Sequence, residues 1–369
     1  MKLKSALKTR CLLGTGLSTL ILNALLTGCS LWHDDLPECP SGADVEFVYD
    51  YNVQRADMFN AHVGSVTVHV FDAAGHHVMS REECNRPGDT PLRDHGYRMH
   101  LDLPPGEYKL IAHAHQRGTQ ELANRPGAKF RHTAMRQGDA MESLKSTLDR
   151  NATGEVEHRE VSLDTLWHGM TATNLVVRDM QPASARISLV RNTNDIHITL
   201  RQLDSPADIH ASDFEATITD RNGTLGHDNS VLPDDEITYT PWATWTSEFP
   251  SDDDTSDSPV KRGETEVEQR TAHLQFSVSR LIWRPANESP AMLTIRNRNT
   301  GAIVAKINLP DCLAMGRNAF ETQNYSRQEF LDREYNYRLD FFLRGDKWVY
   351  AYLGISILGW DYRFQPVDF

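Results

Sequence analysis

Short stretches of the chain alternate apolar and polar residues with a period of two, which is the pattern of a half-buried β-strand. In the first half, Val66, Val68 and Val70 alternate with Thr67 and His69. The stretch YRMHLDLPPGEYKLIAHAH holds two such strands, and its Pro-Pro-Gly turns the chain between them.

The same alternation returns in the second half, on the apolar faces formed by Ile187 and Leu189, Ile196, Ile198 and Leu200, Phe214, Ala216 and Ile218, and Leu274, Phe276 and Val278. Many short strands, Gly and Pro turns and little helix predict an all-β fold with two β-sandwich domains in tandem. We place the first sandwich at residues 45–182 and the second at residues 183–369.

Two stretches interrupt this pattern. Residues 117–155 indicate an insertion in which Met141, Leu144 and Leu148 have helical spacing, so one short helix is predicted there. Residues 247–266 indicate a charged loop. Its aspartates at 252–254 and 257 could bind calcium, but the run lacks the glycine and closing glutamate of an EF-hand loop. A solvated loop is the favoured interpretation.

The N-terminus has the pattern of a secretory signal. Four basic residues within the first ten precede an uncharged run over residues 11–26. Glycine, serine, threonine and asparagine interrupt this run, so it is too short and too polar for a membrane-spanning helix, which needs about 20 apolar residues. We predict that residues 1–28 are a signal peptide.

The signal ends in Leu26-Thr27-Gly28-Cys29, which resembles a bacterial lipobox. Cleavage is then expected between Gly28 and Cys29, with a covalent lipid on the Cys29 thiol and residues 29–44 as a tether. Each buried methylene adds about 0.8 kcal/mol to membrane attachment, and more than one acyl chain is needed for a stable anchor. The alternative is an ordinary secretory signal in which Cys29 has no role. No cofactor other than the lipid is predicted.

The chain after the signal is strongly acidic. The signal holds four of the 38 Lys and Arg residues and none of the 51 Asp and Glu residues, which leaves a net charge of −17. Such a balance argues against nucleic acid as a partner, because nucleic-acid binding needs a basic surface. It also argues against a polybasic membrane patch, so the lipid must supply the attachment to the outer membrane.

Three further cysteines, Cys39, Cys84 and Cys312, follow in what is then an oxidising compartment, and they allow at most one intramolecular disulfide. Cys39 and Cys84 are the predicted pair, because both lie in the N-terminal third.

His113 and His115 lie at i and i+2 on one strand face, where they could share a metal ion. With no third ligand nearby, a polar strand face is the favoured interpretation, and no metal site is predicted.

Motifs of catalysis are missing from the chain after the signal. It contains no GxSxG, no HExxH, no P-loop and no dinucleotide fingerprint, so we predict neither an enzyme nor a small-molecule substrate. Arg344-Gly345-Asp346 matches an integrin-binding tripeptide, but Gly-Asp is ordinary at a hairpin turn, which is the favoured interpretation. Five aromatic residues could stack on sugar rings or pack in the core: Tyr49, Tyr51, Trp167, Trp242 and Trp245.

Several stretches together resemble the fimbrillin-associated anchor lipoproteins, which hold the fimbriae of Bacteroidales-type bacteria on the outer membrane. The matching pieces, in family order, are CSLWHDDLPECP, FVYDYNVQRADMF, VTVHVFDAAGHHV, LPPGEYKLIAHA, TLWHG, SRQEFLDRE and ISILGWDYRF. They span nearly the whole chain after the signal.

The resemblance implies two transthyretin-like sandwiches, no catalysis, and a surface protein at the base of a fimbria (pilus). Its partners would be fimbrial stalk subunits, which it would tether through the acylated Cys29 and whose polymer length it would limit, in support of cell adhesion and virulence. Trp167, His168 and Gly169 match a family motif that we interpret as structural. Asp34-Asp35 is similar to the acidic signals that send such lipoproteins to the outer face of the membrane.

Two questions stay open at this point. The alternative function is a surface glycan-binding lipoprotein of a polysaccharide-uptake system, which would need two or three aromatic side chains on one exposed face. The closing stretch ISILGWDYRFQPVDF has the alternation of a β-strand. It could be donated to a fimbrial subunit by strand addition, or it could complete the protein's own second sandwich.

Overall fold

The computed structural model describes residues 42–248, 269–318, 322–357 and 360–364. The predicted cleavage site and lipidation at Gly28 and Cys29, the disulfide partner Cys39, the Asp34-Asp35 signal and the aspartates at 252–254 and 257 lie outside these residues.

The first part of the described chain forms ten strands and two short helices. The strands are β1 (Ala43–Val48), β2 (Ser65–Asp72), β3 (His77–Cys84), β4 (Met99–Leu101), β5 (Gly106–His115), β6 (Phe130–His132), β7 (Ser146–Leu148), β8 (Glu155–Val156), β9 (Leu166–Met170) and β10 (Leu175–Val177). The helices are α1 (Phe59–His62) and α2 (Thr119–Asn124).

The second part adds twelve strands and two helices. The strands are β11 (Ala183–Arg191), β12 (Thr193–Gln202), β13 (Phe214–Asp220), β14 (Thr224–Leu225), β15 (Ile237–Tyr239), β16 (Ala243–Ser247), β17 (Thr271–Ser279), β18 (Met292–Asn297), β19 (Ile303–Asn308), β20 (Asn336–Arg344), β21 (Lys347–Ile357) and β22 (Trp360–Phe364). The helices are α3 (Leu309–Ala314) and α4 (Arg327–Arg333), and the Ser326 hydroxyl caps α4 by accepting a hydrogen bond from the Glu329 amide at 3.0 Å.

The first large sheet has the strand order β3-β2-β5-β9-β11-β1-β4, with β10 paired to β5 beside β9. The period-two alternation sets its faces. Val66, Val68 and Val70 of β2 and the alternate residues of β5 point into one apolar core, which they share with β1 and β11. The other face of β2 and β5 carries Thr67, His69 and their neighbours. This core is the first of two that organise the fold.

The second core lies between a six-stranded sheet and a five-stranded sheet. The strand orders are β16-β17-β12-β20-β21-β22 and β19-β18-β13-β15-β8. Ile196, Ile198 and Leu200 of the central strand β12 are fully buried in it, as the alternation predicts. The predicted all-β fold is confirmed. None of the described helices has the length and apolar character needed to cross a membrane.

The prediction of a helix around Met141, Leu144 and Leu148 is wrong. Only a 3₁₀ turn forms at Met141–Ser143, and β7 follows at Ser146–Leu148. The reason is tertiary pairing: β7 lies between β6 and β14 in a three-stranded sheet, which we call the small sheet. Long-range hydrogen bonds of this kind override the local helical spacing.

Strand pairing crosses the predicted domain boundary after residue 182. Strand β11 begins at Ala183 but pairs in parallel with β1 and antiparallel with β9, so it belongs to the first sheet. In the opposite direction, β8 pairs with β15 of the five-stranded sheet. After Arg191 no further strand of the described chain joins the first sheet.

Candidate functional site

The C-terminal strands form an incompletely paired edge of the six-stranded sheet. Strand β22 pairs antiparallel with β21, from Leu353 opposite Phe364 to Ile357 opposite Trp360. The first half of β21, residues 347–352, pairs on one side with β20 and has no strand on its other side within the described residues. Backbone groups on that side have no strand partner among the described residues, and residues 365–369, which follow Phe364, lie outside them. We call residues 347–352 the open edge.

Aromatic side chains cover the outer face of the sheet beside this edge. Phe342 stacks on Tyr350 with ring centres 4.5 Å apart, and Tyr352 meets Phe342 edge-on at 5.5 Å. They lie outside because the alternate residues, Phe341 and Ala351 among them, are buried in the second core. The open edge itself carries Val349, which is 51% exposed.

The described part of the closing stretch lies in the chain's own sheet, since residues 360–364 pair with β21. This pairing agrees with the second of the two alternatives for the C-terminal strand. Residues 365–369 lie outside the described part of the chain. Donation of this strand to another subunit stays a prediction.

Arg344-Gly345-Asp346 forms the turn between β20 and β21, as its hairpin interpretation requires. Gly345 has φ of +57°, a conformation that favours glycine. Its amide donates to Asp204 Oδ2 at 3.0 Å, and Asp346 Oδ1 accepts from Asn297 Nδ2 at 2.7 Å. The turn is therefore tied to two neighbouring loops.

The five candidate sugar-stacking aromatic residues do not share one face. Tyr49 and Trp167 pack edge-to-face in the first core, 5.6 Å apart, and both are buried. Tyr51 is half-buried, with the Arg333 guanidinium 3.9 Å from its ring centre. Trp242 is also half-buried, whereas Trp245 is exposed and lies parallel to the His273 ring at 4.6 Å. Only Trp245 offers an open ring.

His113 and His115 lie on one face of β5, as predicted, but that face is buried beneath the small sheet. The His113 ring stacks on His132 of β6 with ring centres 4.4 Å apart. His115 Nε2 lies 2.8 Å from His132 Nε2, and Ser146 Oγ bonds His132 Nδ1 at 2.8 Å. No described group of three or more His, Cys, Asp or Glu side chains has an arrangement that could hold a metal ion. The sequence analysis missed His132, because its strand is too short to show a period.

Cys84 and Cys312, the two described cysteines, are both buried. Cys84 ends β3 opposite Ser65 of β2. Cys312 lies in α3, where burial raises the pKa of its thiol. Since Cys39 lies outside the described residues, the Cys39–Cys84 disulfide stays a prediction.

A cavity of about 330 Å³ lies beside β6, and its lining includes five cationic side chains: Arg125, Lys129, Arg131, Arg150 and Arg159. Each of them already has an acceptor in the protein. Arg125 and Lys129 donate to the carbonyls of Ser162 and Ala123, respectively. Arg131, Arg150 and Arg159 pair with the carboxylates of Asp149, Asp234 and Glu157, respectively. The five side chains are therefore held by groups of the protein itself, although Arg125 Nε and Arg150 Nη1 are buried without a hydrogen-bond partner among the described residues.

The chain is similar to one protein family over most of its length. The model of the family described as fimbrillin-A associated anchor proteins Mfa1 and Mfa2 matches residues 36–366. None of the curated protein sequences compared with the chain matches it significantly.

Solved structures agree with this match. A protein of Bacteroides thetaiotaomicron assigned as an adhesin is 29% identical, with a TM-score of 0.70 over 89% of this chain and 99% of that chain. A second protein of the same organism, assigned to polysaccharide binding, is 28% identical, with a TM-score of 0.67 over 88% and 98% of the two chains. The fimbrial anchor protein Mfa2 of Porphyromonas gingivalis is 15% identical, with a TM-score of 0.58 over 88% and 99%, and this likeness concerns the fold alone.

Proposed function

The chain belongs to the family of fimbrillin-A associated anchor proteins, and from this premise we propose that it anchors a fimbria to the outer membrane of its cell. The observation that carries the proposal is the extent of the family match, which spans residues 36–366 and so includes both cores. Anchor or adhesin roles go with this family and with the similar adhesin structures. The finer features below are our inference from the chain itself.

Attachment to the membrane is assigned to a lipid on Cys29, inside the lipobox-like Leu26-Thr27-Gly28-Cys29. Strand β1 begins at Ala43, fourteen positions later. A fully extended chain spans at most about 3.5 Å per residue, so the tether lets the first sheet stand up to roughly 50 Å from the membrane. Asp34-Asp35 supports exposure on the outer face.

Attachment to the fimbria is assigned to the C-terminal edge of the six-stranded sheet. An extended strand of a fimbrial subunit can pair with the open edge, because main-chain hydrogen bonds supply affinity in strand addition and alternate side chains supply specificity. One side of the protein is then committed to the membrane and one edge to a single subunit. Growth of the polymer stops at such a base, which limits the fimbria's length.

The test places a charge on the open edge. A lysine on an exposed edge opposes strand pairing, so Val349→Lys should shed fimbriae into the medium while the protein stays folded on the cell. Ile303→Lys is the matched control: Ile303 is 50% exposed at the start of the edge strand β19 of the other sheet. Fimbriae that stay attached in Val349→Lys, or are shed equally in both variants, would exclude the open edge as the docking site.

Deletion of residues 360–369 distinguishes two modes of attachment. In one, this protein accepts a strand of a fimbrial subunit at the open edge; in the other, it donates its own C-terminal strand to the subunit. If the C-terminal strand is donated, the truncated protein should remain folded and surface-bound while its fimbriae are lost. If the truncated protein unfolds, or if fimbriae remain attached, donation fails.

Glycan binding is the second candidate function, and one observation favours it. The exposed Trp245 ring lies parallel to His273, which supports the indole from one side, and stacking on a sugar ring needs an indole held in this way. A similar structure is assigned to polysaccharide binding. Trp245→Ala should then abolish binding on a glycan array while leaving fimbriae attached. The absence of glycan binding by the unaltered protein would remove this candidate.

A further inference from the structure

Six histidines lie between the outer face of the first sheet and the small sheet. We call them the histidine cluster: His69 of β2, His77 of β3, His113 and His115 of β5, His132 of β6 and His168 of β9. Five of the six are buried and His132 is half-buried. Their rings are close: His113 lies 5.6 Å from His69 and 5.5 Å from His168, besides stacking on His132.

The hydrogen bonds of the cluster require at least one neutral imidazole. His115 Nε2 and His132 Nε2 are 2.8 Å apart, and such a contact needs one nitrogen without a proton, because two N–H groups cannot face each other. His69 Nδ1 and His77 Nε2 share the hydroxyl of Ser80, each at 2.8 Å. The Nδ1 atoms of His77 and His113 are buried without a partner among the described residues. A proton added at either would be desolvated.

The groups that face the cluster from neighbouring elements supply little negative charge. Asp164 lies 3.4 Å from His115 Nδ1, but its other oxygen already accepts a 2.6 Å bond from Arg117. At the far end, His168 Nε2 donates a hydrogen bond to the His227 carbonyl at 2.8 Å, with Arg280 and Asp228 nearby. Strand β7 contributes the uncharged Ser146. Several imidazolium ions would therefore compete for two carboxylates, Asp164 and Asp228, of which Asp164 is already paired with Arg117.

Few apolar contacts hold the small sheet and its connecting segment against this face. Met141 and Leu144 pack on Phe71 and Ile111, and these four buried residues form a separate small cluster. On its other side the small sheet belongs to the second core through Phe130, Leu148 and Leu225. The histidine cluster thus lies in the contact between the first sheet and the small sheet, and the small sheet is itself attached to the second core.

We propose that this contact is an acid-sensitive joint: in mildly acidic solution His69, His113, His132 and His168 of the histidine cluster become charged, and residues 130–148 separate from the first sheet while both cores stay folded. The open form exposes Phe71, Ile111 and the cluster. The two cores themselves consist of apolar side chains.

The direction of the histidine pKa shifts agrees with this proposal. Burial, together with the neighbouring imidazoles, holds the pKa of His113 and of His132 well below the usual value. Burial lowers the pKa of His69 and of His168 to about 4. A group with a lowered pKa binds its proton more readily in the open form, so the closed form loses stability as pH falls below about 6.5. Between pH 7.5 and pH 5.0, one histidine with a closed-form pKa near 4 raises the opening constant about 30-fold.

Methionine oxidation tests the joint with internal controls. The full-length protein in a non-ionic detergent is exposed to brief hydroxyl-radical pulses at pH 7.5 and pH 5.0, and oxidation is mapped by mass spectrometry. Met141, 8% exposed in the joint, should be oxidised several-fold faster at pH 5.0 than at pH 7.5, relative to Met180, which is 73% exposed and lies outside the joint. Met99, 1% exposed in the first core, should stay protected.

Two results would overturn the proposal in the unaltered protein alone. One is a Met141 oxidation rate that does not change with pH. The other is a Met99 rate that rises together with that of Met141, because this pattern reports unfolding of the core.

Variants then assign the response to the cluster. The double variant His113→Gln/His132→Gln removes two titrating rings and should flatten the pH response of Met141. The single variant His69→Gln leaves the stacked pair intact and should reduce this response. It serves as the test if the double variant does not fold. His100→Gln is the control, since His100 lies 45% exposed on β4 beside Asp44 and should keep the full response. A full response in His69→Gln and in the double variant would assign it to other groups and overturn the proposal.

Discussion

Glu334 is a buried carboxyl group whose ionisation opposes folding. It follows α4, is 3% exposed, and accepts backbone hydrogen bonds at Oε1 from Tyr335 at 2.9 Å and Asn336 at 2.8 Å. Its Oε2 is buried without a hydrogen-bond partner among the described residues. Burial raises the pKa of Glu334 to about 7, although the two amides and Arg191 act in the opposite direction.

The sign and size of the effect follow from this shift. A carboxyl with a raised folded-state pKa keeps its proton longer in the folded state, so its stabilising contribution is present below about pH 4.5 and is lost as pH rises towards 7. One pKa unit corresponds to about 1.4 kcal/mol. The folded state is therefore disfavoured by roughly 3 kcal/mol at pH 8 and by less than about 1 kcal/mol at pH 5.

The substitution Glu334→Gln removes the charge and keeps an oxygen for the two amides. Any cost of the new side-chain amide is the same at both pH values, so it cancels in the comparison. The difference in unfolding free energy between variant and unaltered protein should shift by about 2 to 3 kcal/mol in favour of the variant from pH 5 to pH 8. Urea unfolding followed by far-ultraviolet circular dichroism measures it. Glu142→Gln, at an exposed position, is the control.

A shift that is zero or of opposite sign would refute this reasoning. It would mean that Glu334 is ionised in the folded protein without the desolvation cost that its burial implies. The titrating histidines are common to both proteins and do not enter the difference.

Three further predictions concern the anchor and the first core. Cys29→Ala should block acylation and lipoprotein-specific cleavage, and continued labelling of the variant by a radioactive fatty acid would contradict the assignment. Protease added to intact cells should remove the folded part of the protein, and digestion only after lysis would place it on the periplasmic side. Trp167→Ala should lower the unfolding free energy by about 3 to 5 kcal/mol, because it empties a fully buried site. Trp245→Ala, at an exposed site, should change the unfolding free energy by less than about 1 kcal/mol. Equal effects of the two substitutions in chemical denaturation would show that Trp167 does not support the core.

Local patterns in the sequence were sufficient for the longer strands, because period two is a property of each strand by itself. Val66, Val68 and Val70 lie on the buried face that their alternation predicts, and the Gly345-Asp346 turn joins two strands. The family resemblance, carried by motifs such as TLWHG, is confirmed by the match over residues 36–366. The lipobox and the Cys39–Cys84 pair were also derived from local patterns, and they stay predictions.

Which strands meet was decided only by the tertiary structure. The alternation in β11 shows that Ile187 and Leu189 share a face, but it does not show that this strand pairs with β1, more than a hundred residues earlier. The residues around Met141 have helical spacing, but β7 forms there because it pairs with β6 and β14. The helical spacing could not reveal this pairing, because its hydrogen bonds come from residues distant in sequence.

The environment of each face was likewise beyond the sequence. His113 and His115 were correctly placed on the face opposite the core, where a polar surface in water was the favoured interpretation. The structure instead covers that face with the small sheet, whose His132 stacks on His113. Periodicity shows which side chains point the same way, whereas burial and the resulting pKa shifts depend on what packs against them, and that is a property of the whole fold.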